Sequence, residues 1–288
     1  MIKKGIILAG GHGTRLSPLT KVVNKQLLPL YDKPIIYYPL SVLMLAGIKK
    51  ILIIVNQGQK KYFEKIIGDG SDFGLNISYK EQYKPNGIAE AFIIGKKFIG
   101  NDSVALILGD NFFYGQGFTQ RLAKIIKQKK GATIFTYNVN NPSDYGIVEI
   151  DNKNKIKKIV EKPKMPKSNS AITGLYFFDK DVVSFAKQLK PSKRNELEIV
   201  DILNKYLKLK KLKLEFMGRG SAWLDTGDIN SLYEATQFIS SIEQRQGLKI
   251  ACIEEIAYKK KWINKKILKQ RIKFYGKCKY SEYLKKIL

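Results

Sequence analysis

The sequence predicts an α/β protein: a mixed, mostly parallel sheet flanked by helices, followed by a C-terminal helical appendix. Three observations predict it. Strand-length apolar runs alternate with helical stretches through the first half of the chain, the pattern of a parallel sheet covered on both faces. One of these runs empties into a loop holding Gly10, Gly11 and Gly13. From Ile229 to Leu288 the pattern is helical.

Taken in order, Ile6–Ala9 is a short buried strand and Ile35–Ala46 a helix stopped at Gly47. Ile51–Val55 is a strand, Tyr62–Ile67 a short helix and Ala89–Phe98 another helix. Val104–Leu108 is a second continuous apolar strand, followed by a helix over Phe118–Lys129 and a strand over Thr133–Val139. Past Tyr145 the texture changes. Gly146–Asp151 and Lys155–Val160 read as a hairpin, Gly174–Phe178 as a strand, and Val182–Lys190 and Glu196–Leu207 as helices. Lys213–Met217 is a further strand. Ile229–Gln246 carries Leu232, Ala235, Phe238, Ile239 and Ile242 at helical spacing, and short amphipathic pieces complete the chain. No internal repeat or low-complexity linker interrupts it. A Rossmann-like core over residues 1–228 and a helical region over 229–288 therefore read as parts of one domain.

A chain of 288 residues can bury a substantial core, and 44% hydrophobic with 27% charged residues is ordinary for a globular protein. No apolar run approaches the ~20 residues that span a bilayer, and the start of the chain lacks a signal peptide's apolar core and cleavage site. A cytoplasmic protein without a membrane partner is expected. Cys252 and Cys278 lie far apart with no Cys-x-x-Cys, which argues against a zinc site. The one histidine, His12, sits in the glycine loop, so multi-histidine metal sites are excluded and a Ser-His-Asp triad has little to draw on.

The formal charge, 52 − 25 = +27, invites a nucleic-acid reading. Yet only six of the 52 basic residues are Arg, leaving 46 Lys scattered over the chain. Nucleic-acid readers lean on Arg for bidentate contacts. Lysines interspersed with Ile and Asn fit A/T-biased coding and solvated faces, so no specific nucleic-acid partner is expected.

The chemistry concentrates in a few stretches. In "GIILAGGHGTRL", Gly5 to Leu16, a strand ends in glycines that free backbone N–H groups for a ligand, and Arg15 suits a polyphosphate. The loop is neither Walker A nor G-x-G-x-x-G; a tight structural turn is the bland alternative. In "NKQLLPLYDKP", Lys25 adds a second cation ten residues beyond Arg15. "ALILGDN" ends a buried strand in Asp110, at the end where ligands of open α/β sheets bind. "WLDTG" sets Asp225 in a similar strand-then-turn context, and Mg2+ characteristically takes one or two carboxylates plus substrate phosphate oxygens. Asp110 and Asp225 are the candidate pair. "EKP" offers Lys162 just after the hairpin.

The opening G-G-x-G-T-R-L followed by K-Q-L-L-P resembles the sugar-phosphate nucleotidylyltransferases. Over nearly the whole chain, through "LGDNFFYG", "SDYGIVE", "AITGLYFFD", "RNELEIVDI", "MGRGSAWLDTG" and "IEQRQGLKIACIEEIAY", it is similar to their bacterial glucose-1-phosphate thymidylyltransferase branch. The resemblance implies that Gly10, Gly13, Thr14 and Arg15 cradle dTTP and that Lys25 binds its α-phosphate. Gln26, Gln82 and Gly87 would recognise the base and neighbouring groups. Asp110 and Asp225 would hold Mg2+; Gly146, Glu161, Ile172 and Tyr176 would line the sugar pocket; Lys162 and Arg194 would grip glucose 1-phosphate.

Further implications are a homotetramer, a product that feeds dTDP-rhamnose biosynthesis for polysaccharide, and a second, regulatory nucleotide site between subunits around Gly218, Arg219 and Glu255. Part of 229–288 would serve that oligomerisation. Ile172 stands where the family usually has Val, Ile253 replaces a common Pro, and Lys259 stands where relatives often carry Arg. Lys259 keeps the charge of that last position without Arg's planar fork. The same reaction with UTP or another sugar 1-phosphate is the neighbouring alternative, since few contacts choose the base; a basic nucleic-acid-binding protein is the distant one.

Overall fold

The computed structural model describes residues 1–151 and 155–288. The chain opens with β1 (Lys4–Ala9) and, after the glycine loop, a small hairpin of β2 (Pro29–Leu30) and β3 (Lys33–Pro34). Then come α1 (Tyr37–Leu45), β4 (Lys50–Asn56), α2 (Lys60–Ile67), β5 (Asn76–Gln82), α3 (Glu90–Ile94), α4 (Lys96–Ile99) and β6 (Val104–Leu108). The second half runs β7 (Asn111–Gly115), α5 (Phe118–Ile125), β8 (Ala132–Asn138), β9 (Gly146–Ile150), β10 (Ile156–Glu161) and β11 (Ser170–Phe178). It continues through α6 (Val182–Lys187), α7 (Ile199–Lys208), β12 (Leu212–Phe216) and β13 (Ser221–Asp225). The helices α8 (Ile229–Gln246), α9 (Ile253–Lys259), α10 (Lys265–Tyr275) and α11 (Lys279–Lys286) close the chain.

Among the described residues, nine strands form one sheet in the order β10-β9-β11-β6-β1-β4-β5, with β8 and β12 continuing from β11. The pairs β1/β4, β1/β6, β4/β5 and β8/β12 are parallel, whereas β11 is antiparallel to β6, β8 and β9, and β10 to β9. Seven of the nine strands therefore point one way and only β11 and β10 the other, so the sheet is mixed and mostly parallel. The carboxyl ends of β1, β4 and β6 lie side by side, and a ligand crevice forms there in open α/β sheets.

Alternation along β1 sends Ile7 to one face and Ile6 to the other. Ile7 joins a core with α1, α5 and the C-terminal helices; Ile6 joins one with Phe92, Val182, Ile202 and Tyr206 of α3, α6 and α7. Helix α1 is apolar all round because it has no solvent face: Tyr37 to Met44 are all buried, between the sheet and α9. Helix α8 packs Ala235 and Ile239 against Leu28, Leu30, Tyr38 and Phe112.

The C-terminal helices are tied down by buried charge as well as apolar contact. Glu254, fully buried, accepts from Tyr275 at 2.6 Å and Tyr280 at 2.7 Å and lies 3.6 Å from Arg271. Arg271 donates to Asp72 at 2.9 Å, which links α10 to the segment between α2 and β5. Asp32, Lys33, Glu243 and Lys249 form a second network. In Coulomb terms each buried charge is retained because a partner faces it.

Several boundaries differ from expectation. The helix expected over Ala89–Phe98 is two short helices interrupted at Gly95. The helix expected from Glu196 starts at Ile199, because Arg194, Glu196 and Glu198 spend their side chains on one another in a loop. The strand expected before the turn at Asp225 is β13, whereas β5 and β7 lie where no strand is expected; β5 alternates exposed and buried residues as an edge strand. The hairpin pairs as expected, antiparallel from Ile150 and Ile156 to Gly146 and Glu161; its tip, residues 152–154, lies outside the described residues. Both cysteines are free, and among the described residues no helix is long and apolar enough to cross a membrane.

Replacing Arg271 by Ala would leave Glu254 buried without its cation. Breaking such a pair costs about 3 kcal/mol, which lowers the unfolding midpoint of a chain this size by about 5 °C. Calorimetry should show that drop; a shift below about 2 °C would mean that the pair does not hold the C-terminal helices.

Candidate active site

The glycine loop is shaped from the neighbouring strand. Asn56, at the end of β4, donates to the Gly11 carbonyl at 2.8 Å and accepts from the Gly11 N–H at 2.9 Å. Thr20 donates to the Gly13 carbonyl at 2.8 Å, and Leu16 N–H to the same oxygen at 2.9 Å. So held, Gly10, Gly13, Thr14, Arg15, Lys25 and Gln26 line a cavity of about 240 Å3 with Asp110 and Gly227. His12 is exposed and does not line it.

Two acids meet beside it, Asp110 in its lining and Asp225 in that of the next cavity. Antiparallel pairing of β7 and β13 sets Asp225 opposite Asn111, next to Asp110, and Thr226 clamps the junction by donating twice to the Asp110 carbonyl, at 3.1 Å from N and 3.0 Å from Oγ1. Lys25, only 8% exposed, donates to Asp110 Oδ2 at 2.5 Å. Burial alone would push the Asp110 carboxyl up, but the Lys25 ammonium and the Asn111 amide hold it below its ordinary value. Asp225 is pushed up by burial and by the Asp110 charge, against the Tyr145 hydroxyl at 3.2 Å and the cations Lys25 and Arg15. The charge of one carboxylate thus raises the other.

That arrangement suits a hard divalent cation, which would relieve the repulsion between the two acids. Among the described residues there is no cluster of three or more His, Cys, Asp or Glu that could hold a metal. Two carboxylates would leave the rest of the coordination to phosphate oxygens and water, the usual manner of Mg2+.

Asp110 is aimed by its neighbour. Asn111, 2% exposed, donates to Asp110 Oδ1 at 2.9 Å and accepts from Gly174 N at 3.1 Å and Trp223 Nε1 at 2.6 Å. The register of β11 against β8 shifts between Ile172 and Tyr176, and a Cβ on Gly174 would lie 2.6 Å from Asn111 Oδ1. Only glycine admits the asparagine there.

A second cavity, also about 240 Å3, is lined by Gly146, Glu161, Lys162, Ile172, Tyr176 and Arg194, together with Arg15, Asp110 and Asp225. Gly146 and Glu161 are cross-strand partners of the hairpin. Lys162 leaves β10 in a left-handed conformation, φ 41°, pinned by its N–H to the Tyr145 carbonyl at 3.0 Å; a non-glycine residue so held is the kind of strain that gathers at functional sites. Arg194 donates to Glu161 at 3.1 Å and Glu196 at 2.8 Å and lies 3.9 Å from Glu198. Its guanidinium is therefore shared among acids. Burial and the Glu198 charge push the Glu161 carboxyl up, against Arg194 and Lys162.

A third cavity, about 210 Å3, is lined by Gly10, Gln26, Gln82, Gly87, Pro85 and Ile88, and again by Asp110. Gln26 is set by its N–H on Asn24 Oδ1 at 2.9 Å, and its Oε1 is buried with no hydrogen-bond partner. Gln82 donates to Glu90 at 2.6 Å.

Every residue expected around substrate thus lines one of three adjoining cavities, and Asp110 lines all three. The second-site residues are not brought together within one chain. Glu255 and Lys259 pair at 2.5 Å and line a separate cavity of about 370 Å3 with Tyr114, Lys249 and Lys260. Gly218 and Arg219 precede β13 and do not line it. Sequence reasoning missed Asn111, Tyr145, Glu90, Glu196 and Glu198. Asn111 left a trace, an amide directly after the acid of a buried strand, where such a group must find partners.

The sequence profile described as Nucleotidyl transferase matches residues 4–242. The chain is 54% identical, over 99% of both chains, to a protein of Neisseria meningitidis named glucose-1-phosphate thymidylyltransferase. Among solved structures it resembles a protein from Bacillus anthracis described as a glucose-1-phosphate thymidylyltransferase, at 42% identity and TM-score 0.76 over 82% of this chain and 94% of that one. A UDP-glucose pyrophosphorylase complexed with UDP-glucose is more distant, at 27% identity and TM-score 0.72 over 84% of this chain and 100% of that one. The chain is a nucleotidyltransferase and belongs to the nucleotidyl transferase family, in its glucose-1-phosphate thymidylyltransferase branch.

Proposed function

We propose that the chain transfers a thymidylyl group from dTTP to α-D-glucose 1-phosphate, giving dTDP-glucose and pyrophosphate. The observation that carries this reading is Asp110 at the meeting point of the three cavities. Base and deoxyribose would occupy the Gln82 cavity, the triphosphate the glycine loop, and the sugar phosphate the Glu161 cavity. An oxygen of glucose 1-phosphate then forms a bond to the α-phosphorus as the bond to the α,β-bridging oxygen breaks, and pyrophosphate leaves with that electron pair.

The attacking oxygen is already anionic, so no strong general base is needed. What the chain must supply is alignment and relief of anion–anion repulsion. Arg15 and Lys25 face the triphosphate side, with Lys25 on the α-phosphate. Lys162 faces the sugar phosphate, and Arg194 would join it by turning from its acids. Mg2+, held by Asp110 and Asp225, would supply further positive charge to the phosphates when bound. The comparisons support nucleotide and sugar-phosphate substrates through the relatives' names; we assign a cytoplasmic homotetramer feeding dTDP-rhamnose synthesis on the resemblance. Residues 1–228 would carry catalysis and 229–288 the assembly contacts. Glu255 and Lys259 would frame a regulatory site completed by Gly218 and Arg219 of another subunit.

Pyrophosphate release across a matrix of sugar phosphates and nucleoside triphosphates tests the reading. dTTP with glucose 1-phosphate should be the best pair. UTP should follow by a modest factor, since a methyl niche is worth ~1 kcal/mol. A better rate with UTP would move the chain to the neighbouring reaction; salt-sensitive DNA binding without turnover would favour the distant one. Asp110→Asn and Asp225→Asn should each lower turnover by about a hundredfold or more, the scale of a main electrostatic stabiliser, with folding intact by circular dichroism. Near-normal activity at saturating Mg2+ would remove that residue from the metal site.

The cations separate by substrate. Lys162→Ala should raise KM for glucose 1-phosphate far more than for dTTP, while Arg15→Ala should chiefly damage dTTP use and kcat. Steady-state kinetics with the opposite pattern would exchange the two phosphate assignments.

A further inference from the structure

Gln82 ends β5 with its side chain over the glycine loop, so close that a Cβ on Gly10 would lie 2.4 Å from Gln82 Oε1. Its amide nitrogen donates to Glu90 Oε2 at 2.6 Å, and Glu90 Oε1 accepts from Asn86 at 2.9 Å. Glu90 itself does not line the cavity. It stands half-buried at the first position of α3.

A carboxylate only accepts, so it faces the N–H side of the Gln82 amide and never the carbonyl. The orientation of a glutamine amide is ordinarily set by its network; here a charged neighbour sets it. With one N–H committed to Glu90, Gln82 has its carbonyl and one further N–H left to offer a base, an acceptor and a donor. The pyrimidine edge that fits is N3–H beside a carbonyl, found in thymine and uracil. Cytosine presents a bare N3 beside an amino group. Pairing with it would require flipping the amide and setting Gln82 Oε1 against the Glu90 carboxylate.

We infer that Glu90 is a positioning residue that locks the Gln82 amide to read thymine or uracil and to reject cytosine. The inference rests on the nucleotide reading of this cavity proposed above. Gln26 adds a second carbonyl acceptor to the same cavity, buried and without a partner. A purely structural role for Glu90, as an acid in the first turn of a helix, would not touch the choice of base.

The test compares the wild type with Glu90→Gln and Glu90→Ala in equilibrium binding of dTTP and dCTP and in pyrophosphate-release kinetics. The Gln variant keeps the shape but can donate or accept, so the amide is freed. The dTTP-over-dCTP preference should narrow by about tenfold or more in both variants. The change should lie mainly in KM for dTTP, with KM for glucose 1-phosphate held within about twofold. Loss of thermal stability with both nucleotides weakened alike, and the preference unchanged, would overturn the inference. So would a wild type that binds dCTP as tightly as dTTP. If the binding preference narrows as expected while the wild type turns over no sugar phosphate, the base-reading role stands and the proposed reaction falls.

Discussion

The Asn111 side chain is the tie on which the site depends. One buried amide gathers β11 through Gly174, β13 through Trp223, and the Asp110 carboxylate at the end of β6. A buried amide left unpaired costs about 1–3 kcal/mol, so these segments keep their relation or lose that much. Its consequences run outward. β13 delivers Asp225 beside Asp110 only because β7 and β13 pair at Asn111. The irregularity in β11 that admits the asparagine also places Ile172 and Tyr176 on the wall of the neighbouring cavity.

Charge is arranged around that tie rather than merely collected. Asp110 remains ionised against its burial because Lys25 is at 2.5 Å, and its charge in turn pushes the Asp225 carboxyl up. On the proposed reading, a polyphosphate arriving there would meet Lys25 and Arg15, and the two acids would offer a cation a place between them. On the other side, Arg194 is shared by Glu161, Glu196 and Glu198. An anion that drew it away would leave those carboxylates for polar groups of the same ligand. A sugar phosphate has both features, hydroxyls and a phosphate, on one small body.

Much of the frame was legible in the chain because it rests on local periodicity. Ile51–Val55 and Val104–Leu108 could only be buried strands, and Ile229–Gln246 matches α8 at both ends, between Asp228 as N-cap and Gly247 in a left-handed C-cap. The acids and the glycine loop were legible because strand ends followed by Asp or Gly have few other uses. What stayed hidden depends on contacts far apart in sequence. Asn111 meets Gly174 and Trp223, 63 and 112 residues away, and Tyr145 reaches Asp225 across 80. Edge strand β5 carries too few apolar residues to announce itself. The loop before α7 looked helical because propensity cannot register three acids turning toward Arg194.

The central claim is that both substrates meet at Asp110 and that the nucleotidyl group passes directly between them. The stereochemical course at the α-phosphorus tests it most directly. dTTP carrying a chiral α-phosphorothioate, turned over with glucose 1-phosphate, yields a product whose configuration can be read by phosphorus NMR. A single in-line displacement at one site inverts the configuration. Retention would mean two displacements and a nucleotidyl group held on the chain, and would contradict direct transfer at Asp110.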